Sequence, residues 1–216
     1  MPNPAPLRDH AYASFTDKLL SRAIALGQIV SQRELVELTG MPLGAIREMI
    51  PRLEADGLIS TEPKRGLKVL SIDLKLVSDA VQLRQIVETA ALIHFCQTAE
   101  DSVIGELYDR HMQVLEQARS SIDDDLRDHA QQVDWGFHEQ LVEHMDNKIM
   151  SEVYRVNSIK IRLIANANAR ISSERIVAVM EEHMPILEAL KNRDETTAVA
   201  ALDNHLKSAR RRALRP

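Results

Sequence analysis

The chain has 216 residues, 44% hydrophobic and 27% charged, enough for one large or two small packed domains. Aromatics at 3%, seven glycines and a single cysteine disfavour a sheet-rich fold and exclude an internal disulfide. The net charge of −5 divides into nine Lys/Arg against eight Asp/Glu over residues 1–70 and 18 against 24 beyond, which permits nucleic-acid binding at a local basic face without arguing for it.

In chain order, Tyr12, Phe15, Leu19 and Ile24 recur at helical spacing and predict a first helix over 9–25. Ser31 is a good N-cap with Glu34 as its capping-box partner, and Gly40 is a stop. A further helix follows Pro42 and runs through Ile46, Met49, Ile50 and Leu53 to Gly57. Pro51 inside it removes a backbone hydrogen bond and predicts a kink. Segments 58–61 and 67–70 flank a turn at 62–66, which reads as a two-stranded hairpin with a basic tip. Two short helices around a tight turn, followed by such a hairpin, make a winged helix-turn-helix, a shape that fits a helix into the DNA major groove. A boundary near 71–73 separates a domain at 1–71 from one at 72–216. Beyond it, periodicity predicts about six helices, roughly 73–98, 101–118, 123–145, 147–167, 173–191 and 194–213. Their short connections favour an antiparallel all-α bundle, so the chain as a whole is mainly α. With no apolar signal core and no apolar run of membrane length, a cytoplasmic protein is expected.

The second helix of the helix-turn-helix should enter the groove. Arg47 near its start can reach base edges or phosphate, and Arg33, Lys64 and Arg65 are placed for phosphate. Gly66 would let the wing backbone approach the minor groove closely. Residues 33–58, RELVELTGMPLGAIREMIPRLEADGL, resemble the DNA-binding domain of the GntR family of bacterial transcription regulators. The resemblance rests on Arg33, Glu34, Leu35, Leu38, Gly40, Arg47, Glu48, Leu53, Gly57 and Leu58. It departs at Pro42-Leu43-Gly44-Ala45, where Leu43 stands in place of an arginine that the family uses on guanine. The DNA-contact candidates are therefore Arg33, Gly44, Arg47, Lys64, Arg65 and Gly66.

The bundle carries the second informative set. Asp134 and His138 are four apart and share a face with Ala130, Val133, Phe137 and Leu141. His183 interrupts the row Ile176, Val179, Met180, Ile186, Leu187, Leu190, and His205 interrupts Ala198, Ala201, Leu202, Ala209. Burying several titratable groups without partners is costly, and a divalent metal satisfies them together. These donors suit zinc first, with manganese, nickel or iron as alternatives. His94, His111 and His144 also fall on or near apolar faces, so position alone does not single out the set.

The bundle resembles the FCD effector domain of the FadR-like branch of the same family. That resemblance selects Asp134, His138, His183 and His205 as metal ligands, and Arg84 and Glu88 match an Arg-x3-Glu in its first helix. Six helices rather than seven would suit the VanR-like subgroup. The resemblance implies a homodimeric regulator, a repressor by preference, on double-stranded palindromic operator DNA. A small carboxylate metabolite would sit at the metal, with Arg84 and Asn157 as further ligand-binding candidates. Arg84 has the alternative of pairing only with Glu88, and Asn157 of being a hydrogen-bonded core amide. No enzyme is expected. Other readings are a metal-dependent hydrolase or lyase, or an interaction module with a structural metal.

Overall fold

In the computed structural model, residues 6–167 and 173–214 are described. The chain divides between Leu76 and Val77 into two compact units. The divide falls inside the first turn of a helix whose start Asp73 caps, accepting from the Leu76 amide at 2.7 Å.

The first unit holds α1 (Leu7–Leu20), β1 (Ile29–Val30), α2 (Gln32–Thr39), α3 (Leu43–Ala55), β2 (Ile59–Glu62) and β3 (Gly66–Val69). α1 stops five residues short of the expected 25 because the chain turns at Arg22, whose φ is +64°. Ile24 is buried all the same. The Ser31 hydroxyl accepts from the Glu34 amide at 3.2 Å, and the Glu34 carboxylate accepts from the Ser31 amide at 2.7 Å. This capping box fixes the start of α2, and left-handed Gly40 (φ +69°) ends it. Pro51 lies inside α3 on its exposed side, where the carbonyl it leaves unbonded can face water.

The wing is a three-stranded antiparallel sheet in the order β1-β3-β2, not the two-stranded hairpin expected from the sequence. β2 pairs β3 with Ile59 opposite Val69 and Glu62 opposite Gly66, and β1 adds Ile29 opposite Lys68. β1 escapes a sequence reading because two residues cannot show a period-two pattern.

The second unit holds α4 (Leu74–Thr98), α5 (Asp101–Ser120), α6 (Asp124–Glu143), α7 (Lys148–Ala167), α8 (Ser173–Lys191) and α9 (Glu195–Ala213). The expected starts at 123 and 194 are the aspartates that cap α6 and α9, accepting from the Leu126 and Thr197 amides. α8 packs against both α5 and α9, and α6 lies against α5, α7 and α8. Leu92, Phe95, Phe137, Leu141, Ile186, Leu187, Leu190 and Leu202 are buried at the centre of this bundle. The histidines and carboxylates of α6, α8 and α9 therefore project into a shared interior. Among the described residues no helix is long and apolar enough to cross a membrane.

Candidate functional site

Asp134 and His138 stand one turn apart on α6, His183 on α8 and His205 on α9. One ligand atom from each of the four lies within 4.8 Å of all the others. The Nε2 atom of His183 is 3.4 Å from Asp134 Oδ1 and 3.4 Å from His205 Nε2, and His138 Nε2 is 3.7 Å from the same Asp134 oxygen. All three histidines are buried, whereas the Asp134 side chain is 28% exposed, on the wall of a cavity.

The other nitrogen of each ring decides what this cluster can hold. His138 Nδ1 lies 2.8 Å from Glu88 Oε2, and His205 Nδ1 lies 3.0 Å from Glu182 Oε2. Ionised carboxylates only accept, so both Nδ1 atoms carry hydrogen. His111 Nδ1 lies 2.7 Å from the Leu107 carbonyl and must donate to it, which leaves His111 Nε2 as an acceptor for His183 Nδ1–H at 3.1 Å. Each neutral ring thus turns a bare Nε2 lone pair toward Asp134. His138 Nε2 is buried with no hydrogen-bond partner, and the His183 and His205 Nε2 lone pairs face each other. With the rings neutral, four Lewis bases converge with no donor among them, an arrangement that a divalent cation satisfies and that a proton on His138 would otherwise meet.

Electrostatics agrees. Burial pushes the His183 pKa well below its ordinary value, helped by His205, His138 and His111 around it. Burial lowers His205 as well, against the pull of Glu182. Burial takes His111 down to about 4. These three rings are neutral near pH 7 and available as ligands or as their supports. His138 is shifted upward: burial and Arg84 oppose its charge, but Glu88 and Asp134 outweigh them. Protons therefore compete with a metal at His138 most strongly.

Glu88 is the buried anchor of the cluster. It accepts from Arg84 Nε at 2.6 Å, from His138 Nδ1 and from the Tyr154 hydroxyl. Burial alone would raise its pKa, but Arg84 and then His138 hold it well below the carboxylate range. Glu182 is buried less, yet Arg212, with two hydrogen bonds at 2.6 and 2.8 Å, brings its pKa to about 2 against the effect of burial.

The cavity beside the cluster has a volume of about 490 Å³. Arg84, Asp134, His138 and His205 line it, so the ring of Glu88 partners and the cluster open into one space. Asn157 does not line it. Its amide donates to the Ala80 carbonyl at 3.0 Å, the core-amide alternative raised by its place on an apolar row. His111 was seen on an apolar face but given no role from the sequence, and Glu182 and the arginines 127, 175 and 212 were given none either. Only Glu182, next to His183, gave a local signal.

In the first unit Arg33, Gly44, Arg47, Lys64 and Arg65 are exposed, and Arg47 Nε donates to Gln32 across the helix pair at 3.2 Å. Gly66 has a local role in the sheet: with φ +125°, a Cβ there would meet the Val30 carbonyl oxygen at 2.8 Å. Its missing side chain lets β1 close on β3.

Comparison with known proteins follows the same division. Residues 7–69 match the bacterial regulatory proteins of the gntR family, and residues 79–208 match the FCD domain. The relative named "Probable HTH-type transcriptional regulator LgoR" of Escherichia coli is 24% identical over 94% of this chain and 66% of its own length. The HTH-type transcriptional repressor RspR of the same organism is 24% identical over 93% of this chain and 86% of its own. The solved structure of E. coli McbR/YncC shares the fold with a TM-score of 0.73 at 18% identity, covering 94% of this chain and 95% of that one. These families and relatives are transcription regulators, not enzymes. With a GntR helix-turn-helix ahead of an FCD domain, the chain belongs to the GntR family of transcription regulators, in its FadR-like FCD branch.

Proposed function

We propose that the protein is a repressor that binds a palindromic operator as a homodimer and is controlled by a small organic acid at a metal centre in the FCD unit. The observation that carries this reading is the convergence of Asp134 and three imidazole nitrogens within 4.8 Å of one another, beside a cavity of about 490 Å³. Asp134, His138, His183 and His205 would hold the ion, zinc by preference, since three imidazoles and one carboxylate suit it well. Bound there, the ion would act as a Lewis acid for a carboxylate. Arg84 lines the same space and is already joined to Glu88, so it would orient a ligand by its remaining guanidinium N–H groups.

On the DNA side, α3 is the recognition helix, with exposed Arg47 reaching bases or phosphate and Arg33, Lys64 and Arg65 on phosphate. Leu43, 42% exposed at the start of α3, offers only apolar contact, which suits a thymine methyl better than guanine. A two-fold partner would read the second half-site and would cover apolar side chains such as Ile149, 79% exposed on α7. Binding of acid and operator are then linked through the populations of two arrangements of the dimer.

A gel-shift titration on the DNA upstream of the gene tests the reading. Arg47→Ala should weaken binding by about tenfold or more, the value of one bidentate base contact. Unchanged affinity in that variant would remove α3 from the groove.

A further inference from the structure

Three of the four arginines on the cavity wall already have a carboxylate. Arg84 is held by Glu88, Arg212 by Glu182 and Arg127 by Asp124. Arg175 differs. Its guanidinium donates to the Ala165 carbonyl at 3.4 Å, and no carboxylate of the described residues lies within ion-pair distance of it. Burial lowers its pKa and the neighbouring Arg212 lowers it further, while Asp134, the carboxylate of the metal cluster, pulls the other way. A guanidinium stays charged even so, and a half-buried cation without an ion-pair partner of its own is costly until an anion joins it. Arg127 adds an Nε–H that is buried without an acceptor among the described residues. Apolar side chains make up much of the remaining lining, among them Val81, Trp135, Ile161, Ile164, Ile176 and Met180, beside the polar Gln131, Ser158 and Asn166.

Charge balance shows what would complete this space. The three arginine–carboxylate pairs cancel. A divalent ion on Asp134 leaves one positive charge, and Arg175 supplies a second. A monocarboxylate would neutralise the metal end alone and leave Arg175 unmatched. We propose that the effector is an organic dianion: one acid group at the metal centre, a second on Arg175 and Arg127, and a hydrocarbon body between them against the apolar side chains. This rests on the metal-centred reading above and adds the class of ligand and the residue that selects it.

The test uses the full-length zinc-loaded protein and calorimetric titration with matched pairs of 2-hydroxy acids. Malate against 2-hydroxybutanoate, 2-hydroxyglutarate against 2-hydroxypentanoate, and 2-hydroxyadipate against 2-hydroxyhexanoate differ within each pair in the terminal carboxylate and share the chelating end. At least one diacid should bind about tenfold or more tightly than its partner, as a charge-assisted contact predicts. Arg175→Met should bring that diacid to within about twofold of the monoacid, with monoacid and zinc affinities unchanged. Arg175→Lys should retain part of the preference, and Arg175→Gln serves if the methionine variant does not fold. Monoacids binding as tightly as diacids in a zinc-dependent way would overturn the dianion and leave the metal reading standing. A diacid preference that survives the loss of Arg175 would overturn the assignment to that residue. No binding by either class would overturn both.

Discussion

At the residue scale, what the proposed ligands can offer a metal is set by atoms on the far side of each ring. His183 can offer Nε2 only because His111 accepts at its Nδ1, and His111 can accept only because its own Nδ1–H is taken by the Leu107 carbonyl. A backbone carbonyl cannot reverse its role, so the tautomer is set from the α5 backbone outward. His111→Leu should therefore lower metal affinity about 10–100-fold, measured by competition with a chelator. His111→Gln should recover part of it, since its amide oxygen can accept. A leucine variant with wild-type metal affinity would show that the chain of rings does not govern His183. The four ligand candidates were legible because each interrupts an apolar helical row, with the resemblance choosing among the histidines. His111 was noticed and left unassigned. Its role depends on α5 lying against α8, a pairing that spacing along one helix does not reveal. Arg175 was hidden for a related reason: what distinguishes it is the carboxylate it lacks.

At the scale of elements, the bundle helices follow the periodicity closely. Their predicted starts miss by one where an aspartate outside the helix does the capping. The wing was the harder part. Its hairpin is signalled by turn residues, but its third strand, Ile29–Val30, is seen only once Gly66 brings β3 against it. Gly66→Ala should strain the backbone and push a Cβ into the Val30 carbonyl, lowering stability by about 1–3 kcal/mol in urea unfolding of the full chain. Wild-type stability in that variant would mean that β1 is not held by this contact, and would return Gly66 to a purely DNA-facing role. Pro51 in α3 and Pro185 in α8 both interrupt helices that nonetheless continue. Both lie on exposed sides, so water can meet the carbonyls they leave unbonded.

At the scale of the whole molecule, two units with different demands share one chain. The first presents exposed cations on α2, α3 and the wing, while the acidic excess lies in the second. That distribution lets a protein of net charge −5 meet a phosphate backbone locally. A regulator needs only a few kcal/mol of preference by its ligand for one arrangement to release DNA. The buried, neutral histidines make the FCD unit a natural place to generate that preference, because an ion and an acid together replace lone-pair repulsion with bonds. The measurement closest to this claim is metal content by elemental analysis after zinc loading and dialysis. The wild-type chain should retain one ion, and His183→Ala, verified as folded by circular dichroism, should lose it. Full zinc in the alanine variant, or none in the wild type, would contradict the account.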